Sequence, residues 1–159
     1  GTDEVILPKR RVYYFMSVRE QFSARFSLRY WDVLENSVAE ADPGIADQFR
    51  TMGNRRWCHL YNMFVMNWAL FDEYMGWLFS VLRYAEKALD IREGSPDHRR
   101  ILGHYAERLE DVWLGARSDK IRLREVPVKY LDKQPDVQRA ITLTRDYVAL
   151  RLRPHSIRN

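Results

Sequence analysis

The chain has 159 residues, 46% of them apolar and 30% charged, with a formal net charge of +4. A chain of this length fits one domain that buries roughly 68–70% of the surface its unfolded form exposes, so it needs no metal or disulfide staple. The single cysteine, Cys58, has no partner for an internal disulfide and lies in an apolar run, which reads as an inert buried thiol and favours a reducing compartment.

The charge is unevenly placed. Residues 117 to 159 hold eleven Lys or Arg against five Asp or Glu, which leaves residues 1 to 116 at minus two. This basic tail fits either a solvated surface or contact with anionic phosphates of a nucleotide, a lipid carrier or a membrane. Its cations are scattered and carry no zinc, basic-zipper or RNA-recognition spacing, so nucleic acid is not the expected partner. The best candidate for a membrane span is interrupted by Asn67, Asp72 and Glu73, and the N-terminus lacks the basic-then-apolar order of a signal peptide. A soluble cytoplasmic domain is expected, touching the inner face of the membrane only peripherally.

In chain order, Glu4-Val5-Ile6-Leu7-Pro8 reads as a short strand ended by proline, which must pair elsewhere in the molecule. Ser17-Val18-Arg19-Glu20 is a capping box that starts a helix near residue 18, running to about Phe26. Leu28, Trp31, Leu34 and Val38 follow at spacings of three and four, predicting a second helix to Ala41, stopped by Asp42-Pro43-Gly44. A short helix over Ile45 to Met52 ends at a Gly53-Asn54 turn. Arg56 or Trp57 to Met66 reads as a buried strand carrying one polar residue, Asn62.

Asn67 then caps a long helix whose stripe of Phe71, Tyr74, Met75, Leu78, Leu82, Ala85 and Leu89 has helical spacing. Gly94-Ser95-Pro96 stops it and starts another, with Ile101, Tyr105, Leu109 and Val112 on its buried face. Ile121, Leu123 and Val126 alternate with charged residues as a half-exposed strand before Pro127. Asp136 to Leu152 fits a helix or extended structure, because Val137, Ile141, Thr142, Thr144 and Val148 are β-branched.

Candidate chemistry gathers at two places. A rotation of about 100° per residue puts Glu107 opposite the stripe of its own helix, near Gly103 and Leu114, with Arg100 and Arg108 flanking it. Such a carboxylate is either simply solvated or kept ionised by the two cations, as a general base or electrostatic partner requires. Gly103 costs about 1 kcal/mol relative to alanine in a helix and clears room beside it. Asn62 needs a hydrogen-bond partner wherever it is buried. Trp57, Trp68, Trp77 and Trp113, with Tyr61, Tyr74 and Tyr105, form either core or a sugar-stacking platform. Histidines 59, 98, 104 and 155 have no metal-ligand spacing, and no Cys-x-x-Cys, Gly-rich phosphate loop, serine nucleophile elbow or Asp-x-Asp pair is present. A divalent metal is therefore not supported.

Three blocks resemble a bacterial family of glycosyltransferase-like domains of capsule and O-antigen synthesis, long labelled a domain of unknown function. They are Val5-Ile6-Leu7-Pro8-Lys9; Tyr61-Asn62-Met63-Phe64-Val65-Met66 with Phe71-Asp72-Glu73-Tyr74 and Trp77-Leu78-Phe79; and Arg100-Ile101-Leu102-Gly103 with Glu107-Arg108-Leu109. The resemblance implies an α/β fold, the helix-rich C-terminal portion of a GT-A-type nucleotide-sugar transferase with a few short strands. It also implies that Glu107 is the catalytic carboxylate of the family's Glu-Arg-Leu motif and Asn62 the asparagine of its Asn-Met-Phe motif. Tyr61, Met63, Arg100, Arg108 and Trp77 join them as candidate substrate-binding residues.

On this reading, residues 1–128 are the acceptor and catalytic side of the domain, and 129–159 are a basic extension. The donor-binding half, with its His-Tyr-Arg-Arg-Tyr type segment, has no counterpart before Val5 and is expected from further sequence or another chain, leaving this chain inactive alone. The implied partners are a nucleotide sugar such as a UDP-sugar, and a polysaccharide or lipid-linked acceptor, with galactofuranose one candidate sugar. The rival reading is a non-enzymatic helical module that binds a protein partner or a membrane surface through its aromatic surface and basic tail.

Overall fold

A computed structural model describes residues 3–89 and 100–129, together with Val148 and Leu152. The expected helix start at Ser95-Pro96, most of the Asp136–Leu152 segment and most of the basic extension lie outside the described residues.

The chain opens with β1 (Asp3–Pro8), which pairs in parallel with β4 (Ile121–Val126) in a register that sets Val5 opposite Leu123 and Leu7 opposite Glu125. On its other side, Ile6 exchanges two backbone hydrogen bonds with Val65, both 2.9 Å. Parallel neighbours require a crossover, and here nearly the whole described chain supplies it. A second, smaller ladder joins β2 (Arg11–Val12) to β3 (Trp57–Cys58) in antiparallel fashion.

The rest of the described chain is mostly helical. The predicted capping box is formed at α1 (Val18–Arg25): the Glu20 amide donates to Ser17 Oγ at 3.2 Å, and the Ser17 amide donates to Glu20 Oε2 at 2.7 Å. A second helix, α2 (Leu28–Ala41), is followed by a 3-10 turn at Pro43–Ile45 and by α3 (Ala46–Asn54). Gly53 and Asn54 are thus the last turn of α3 and not the turn after it. Helix α4 (Trp68–Ala88) is capped as expected, with Asn67 Oδ1 accepting from the Leu70 amide at 2.9 Å. It packs against α2 and against α5 (Ile101–Gly115). Among the described residues no helix is long and apolar enough to cross a membrane.

The core is aromatic. Phe22 meets Trp31 edge-on at 5.7 Å, Trp31 lies 5.0 Å from Phe49, and Tyr74 lies 5.2 Å from Trp113. Trp31, Trp113, Tyr74 and Tyr105 are fully buried, so these aromatics are packing, while Trp57 and Trp77 are half-buried. Tyr61 and Trp68 are exposed, Trp68 at the start of α4 beside an apolar groove formed with Phe64, Val65, Met66 and Phe71. Cys58 is buried, and burial, its largest influence, pushes its thiol up to about 11, as an inert thiol requires.

Two expectations fail. The strand expected from Trp57 to Met66 ends at Cys58; the chain then turns, with Tyr61 at φ 89° and Asn62 at φ 48°. The apolar run Leu60, Met63, Phe64, Val65 matches a strand in composition, but consecutive left-handed residues cannot continue a ladder. Nor is α5 apolar on one side only. Arg108, Glu110 and Asp111 are buried as well as the stripe: the segment after β3 bonds to Asp111 on the opposite face, and Arg108, which borders the stripe, reaches Gln21 of α1.

Candidate functional site around Glu107

The face of α5 opposite its apolar stripe carries Gly103, Glu107 and Asp111, spaced by four residues and so aligned along the axis. The segment after β3 is fastened to that face at two points. At one end the His59 amide donates to Asp111 Oδ2 at 2.7 Å. At the other, Asn62 Nδ2 donates to the Gly103 carbonyl at 3.3 Å. The anchor positions are about 12 Å apart along the helix axis, with Glu107 midway between them.

Asn62 is therefore not a deep strand residue. It is exposed, and sits in the left-handed conformation that asparagine tolerates better than most side chains. Tyr61, also left-handed and 39% exposed, is a bulkier residue in that region and stores strain of about 1–3 kcal/mol. Met63 follows it, exposed. The space beside Gly103 is open: a Cβ built there would meet no atom within 4 Å, in keeping with the room its sequence suggested.

Glu107 has a side chain 22% exposed, and its Oε2 accepts from Arg108 Nη1 at 2.7 Å. His104 Nδ1 approaches the same oxygen at 3.6 Å. Burial raises the carboxyl, but His104 and the Arg108 charge outweigh it, so the group lies below its ordinary range and is ionised at neutral pH. Arg108 is itself held in place: it donates to the His104 carbonyl at 3.1 Å and to Gln21 Oε1 at 3.3 Å, and its guanidinium lies 5.2 Å from the Phe22 ring centre. The arrangement presents a fixed, charged acceptor with one side open to solvent.

Of the other two candidates, Arg100 stands one turn before Gly103 and Trp77 lies on a different helix. Arg100 is exposed at the N-terminus of α5. Trp77 is half-buried on α4, stacked on Tyr74 at 6.5 Å, with its ring Nε1 buried and without a hydrogen-bond partner.

Residues that the sequence did not single out complete the neighbourhood. His59 is 1% exposed and its ring lies between two carboxylates, Nδ1 at 2.6 Å from Asp111 Oδ1 and Nε2 at 3.1 Å from Glu125 Oε1. Arg10 in turn donates to Glu125 Oε1. Burial opposes the imidazolium, but the hydrogen bonds to Asp111 and Glu125 prevail and raise the histidine above its ordinary value. This network stands at the carboxyl ends of β1 and β4, the end of a parallel sheet beyond which ligands bind in open α/β folds. Beside it, Glu110 is 1% exposed with neither carboxyl oxygen hydrogen-bonded. Burial, and then the neighbouring Asp111 charge, push Glu110 up to about 8. Among the described residues no group of three or more His, Cys, Asp or Glu side chains is placed to hold a metal ion.

Residues 1–118 match the model of a family described as a domain of unknown function, DUF4422. The chain belongs to this family. No curated protein matches the DUF4422 chain. Among solved structures it is similar to the apo structure of WbbM, a bifunctional glycosyltransferase, with a TM-score of 0.71 at 22% sequence identity. The match covers 84% of this DUF4422 chain and 26% of the WbbM chain, so the chain spans about a quarter of that protein. The architecture, an α/β fold that is helix-rich with a few short strands, is shared with that part of WbbM.

Proposed function

We propose that this DUF4422 chain is the acceptor-side and catalytic part of a GT-A-type glycosyltransferase, moving a sugar from a nucleotide-sugar donor to a polysaccharide or lipid-linked acceptor. The family membership and the transferase fold support the class of reaction. The observation that carries the site is the position of Glu107, ionised, partly open, and framed by the two hydrogen bonds that fix the 59–62 segment on α5.

In this reading Glu107 takes the proton of an acceptor hydroxyl as its oxygen attacks the anomeric carbon. The bond from that carbon to the donor's diphosphate breaks, and the nucleoside diphosphate departs with the electron pair. Asn62, with its amide oxygen free of the Gly103 bond, accepts from sugar hydroxyls; Tyr61 and Met63 flank it, and Arg108 keeps Glu107 charged. Arg100, at the start of α5, and Trp77, on α4, serve the periphery of the acceptor path. The donor-binding half comes from further sequence or another chain, so the chain alone does not turn over.

The test is Glu107→Gln in protein that includes the donor-binding part, assayed with UDP-galactofuranose and other UDP-sugars. Turnover falls about 10²–10⁴-fold with the circular dichroism spectrum unchanged. Turnover close to wild type, with intact folding, removes the base role. The rival reading, a non-enzymatic module, has in its favour the exposed Trp68 and its apolar groove. Under that reading Trp68→Ala abolishes partner binding, while no UDP-sugar shifts the melting temperature of the longest form of the protein.

A further inference from the structure

We propose that His59 is the positioning residue of the Glu107 site: clamped between Asp111 and Glu125, it fixes the left-handed Tyr61–Asn62 turn over the carboxylate. The inference rests on the reading of Glu107 and Asn62 as the site.

The geometry is specific. Asp111 accepts twice from one residue, from the His59 amide at 2.7 Å and from the ring side at 2.6 Å, which fixes both the backbone position and the ring plane. Glu125 on β4 holds the far nitrogen at 3.1 Å and is itself held by Arg10, which follows β1. Trp57 meets the ring edge-on at 5.7 Å. One imidazole thus ties α5, the sheet and the β3 segment together, and it does so two residues before the strained turn begins. A left-handed tyrosine persists only where its surroundings over-determine it. The clasp at position 59 and the Val65–Ile6 bridge are the two fixed points on either side of that turn. The ring is too deeply buried to touch a substrate, so it acts through Asn62 and Glu107 and not on the reacting atoms.

Two substitutions of similar bulk separate positioning from packing. In His59→Asn the amide nitrogen falls near the place of Nδ1 and keeps the Asp111 contact. In His59→Gln it falls near Nε2, keeps the Glu125 contact and loses the ring bond to Asp111. Amide hydrogen exchange is read at residue 59 and Val65, against amides in the middle of α2 and α4. We expect exchange at 59 and 65 to quicken about tenfold in His59→Gln and only about twofold in His59→Asn, which loses the longer contact to Glu125 alone, while the reference amides stay near wild type. Equal effects of the two variants, or no local change in His59→Gln, overturn the proposal.

Should both variants unfold, Asp111→Asn keeps the shape while removing the charge. It must then speed exchange at 59 and 65 ahead of the rest of the core, and a uniform change overturns the proposal. No substrate is used in these measurements. Failure of sugar transfer therefore leaves the clasp standing, and failure of the clasp leaves the assignment of Glu107 to be decided by its own variant.

Discussion

Glu110 shows how a single side chain sets a pH dependence. Its carboxyl is buried without a hydrogen bond and holds its proton up to about 8, against an ordinary value of 4.5. Between those two values the folded state binds more protons than the unfolded one, so stability is full below 4.5 and declines as pH rises toward 8. Glu110→Gln, which cannot ionise, flattens this decline. Its melting temperature at pH 8 exceeds that of the parent, and the difference shrinks toward pH 5; a difference independent of pH contradicts the account. Chemistry at this scale was only partly legible in the sequence. Glu107 and Arg108 are neighbours in the chain, and their pairing follows from adjacency. His59 carries no such signal, because its partners lie 52 and 66 residues further on and no spacing rule reaches that far. The apolar run around Asn62 suggests a buried amide, whereas Asn62 meets a helix carbonyl from an exposed turn.

Among the elements, the helices were the legible part. Caps at Ser17 and Asn67 and apolar spacings of three and four are local signals, and local hydrogen bonds answer them. The segment after Cys58 was not legible, because an apolar run states that residues are covered and not how. Two glycines make opposite predictions about helical sequence. In α3 a Cβ at Gly53 would come within 2.6 Å of Trp31 Cζ2, in a tightly packed ring cluster. Gly53→Ala therefore destabilises by about 1–3 kcal/mol despite its better helix propensity. In α5 nothing stands near a Cβ at Gly103, so Gly103→Ala stabilises by about 0.5–1 kcal/mol. Denaturant midpoints of the two variants should move in opposite directions, and a shift of the same sign for both contradicts the packing argument.

For the molecule as a whole, the same sign reasoning gives a stability optimum on the acid side of neutral. His59 is raised above its ordinary 6.5, and Glu110 is raised too, so both contribute stability that is lost as pH rises. Glu107 and Glu125 are lowered below their ordinary 4.5, so they contribute stability present above that value and lost as pH falls. Thermal melts across pH should peak between about 4.5 and 6.5 and fall on either side; a peak above pH 8 contradicts these assignments. The overall class, an α/β fold rich in helices, was legible through the family resemblance that the three motif blocks carry. The pairing of β1 with β4 was not, since no local feature marks which strand meets which.

That pairing governs how the molecule is made. Val5 finds Leu123 only after almost everything between them has been synthesised, so β1 leaves the ribosome long before its parallel neighbour exists. Closing so large a loop is entropically slow. In the interval the nascent strand carries an open row of amides and carbonyls. Slow codons or a chaperone acting just before β4 emerges would change the yield of native protein more than the same intervention at any helix.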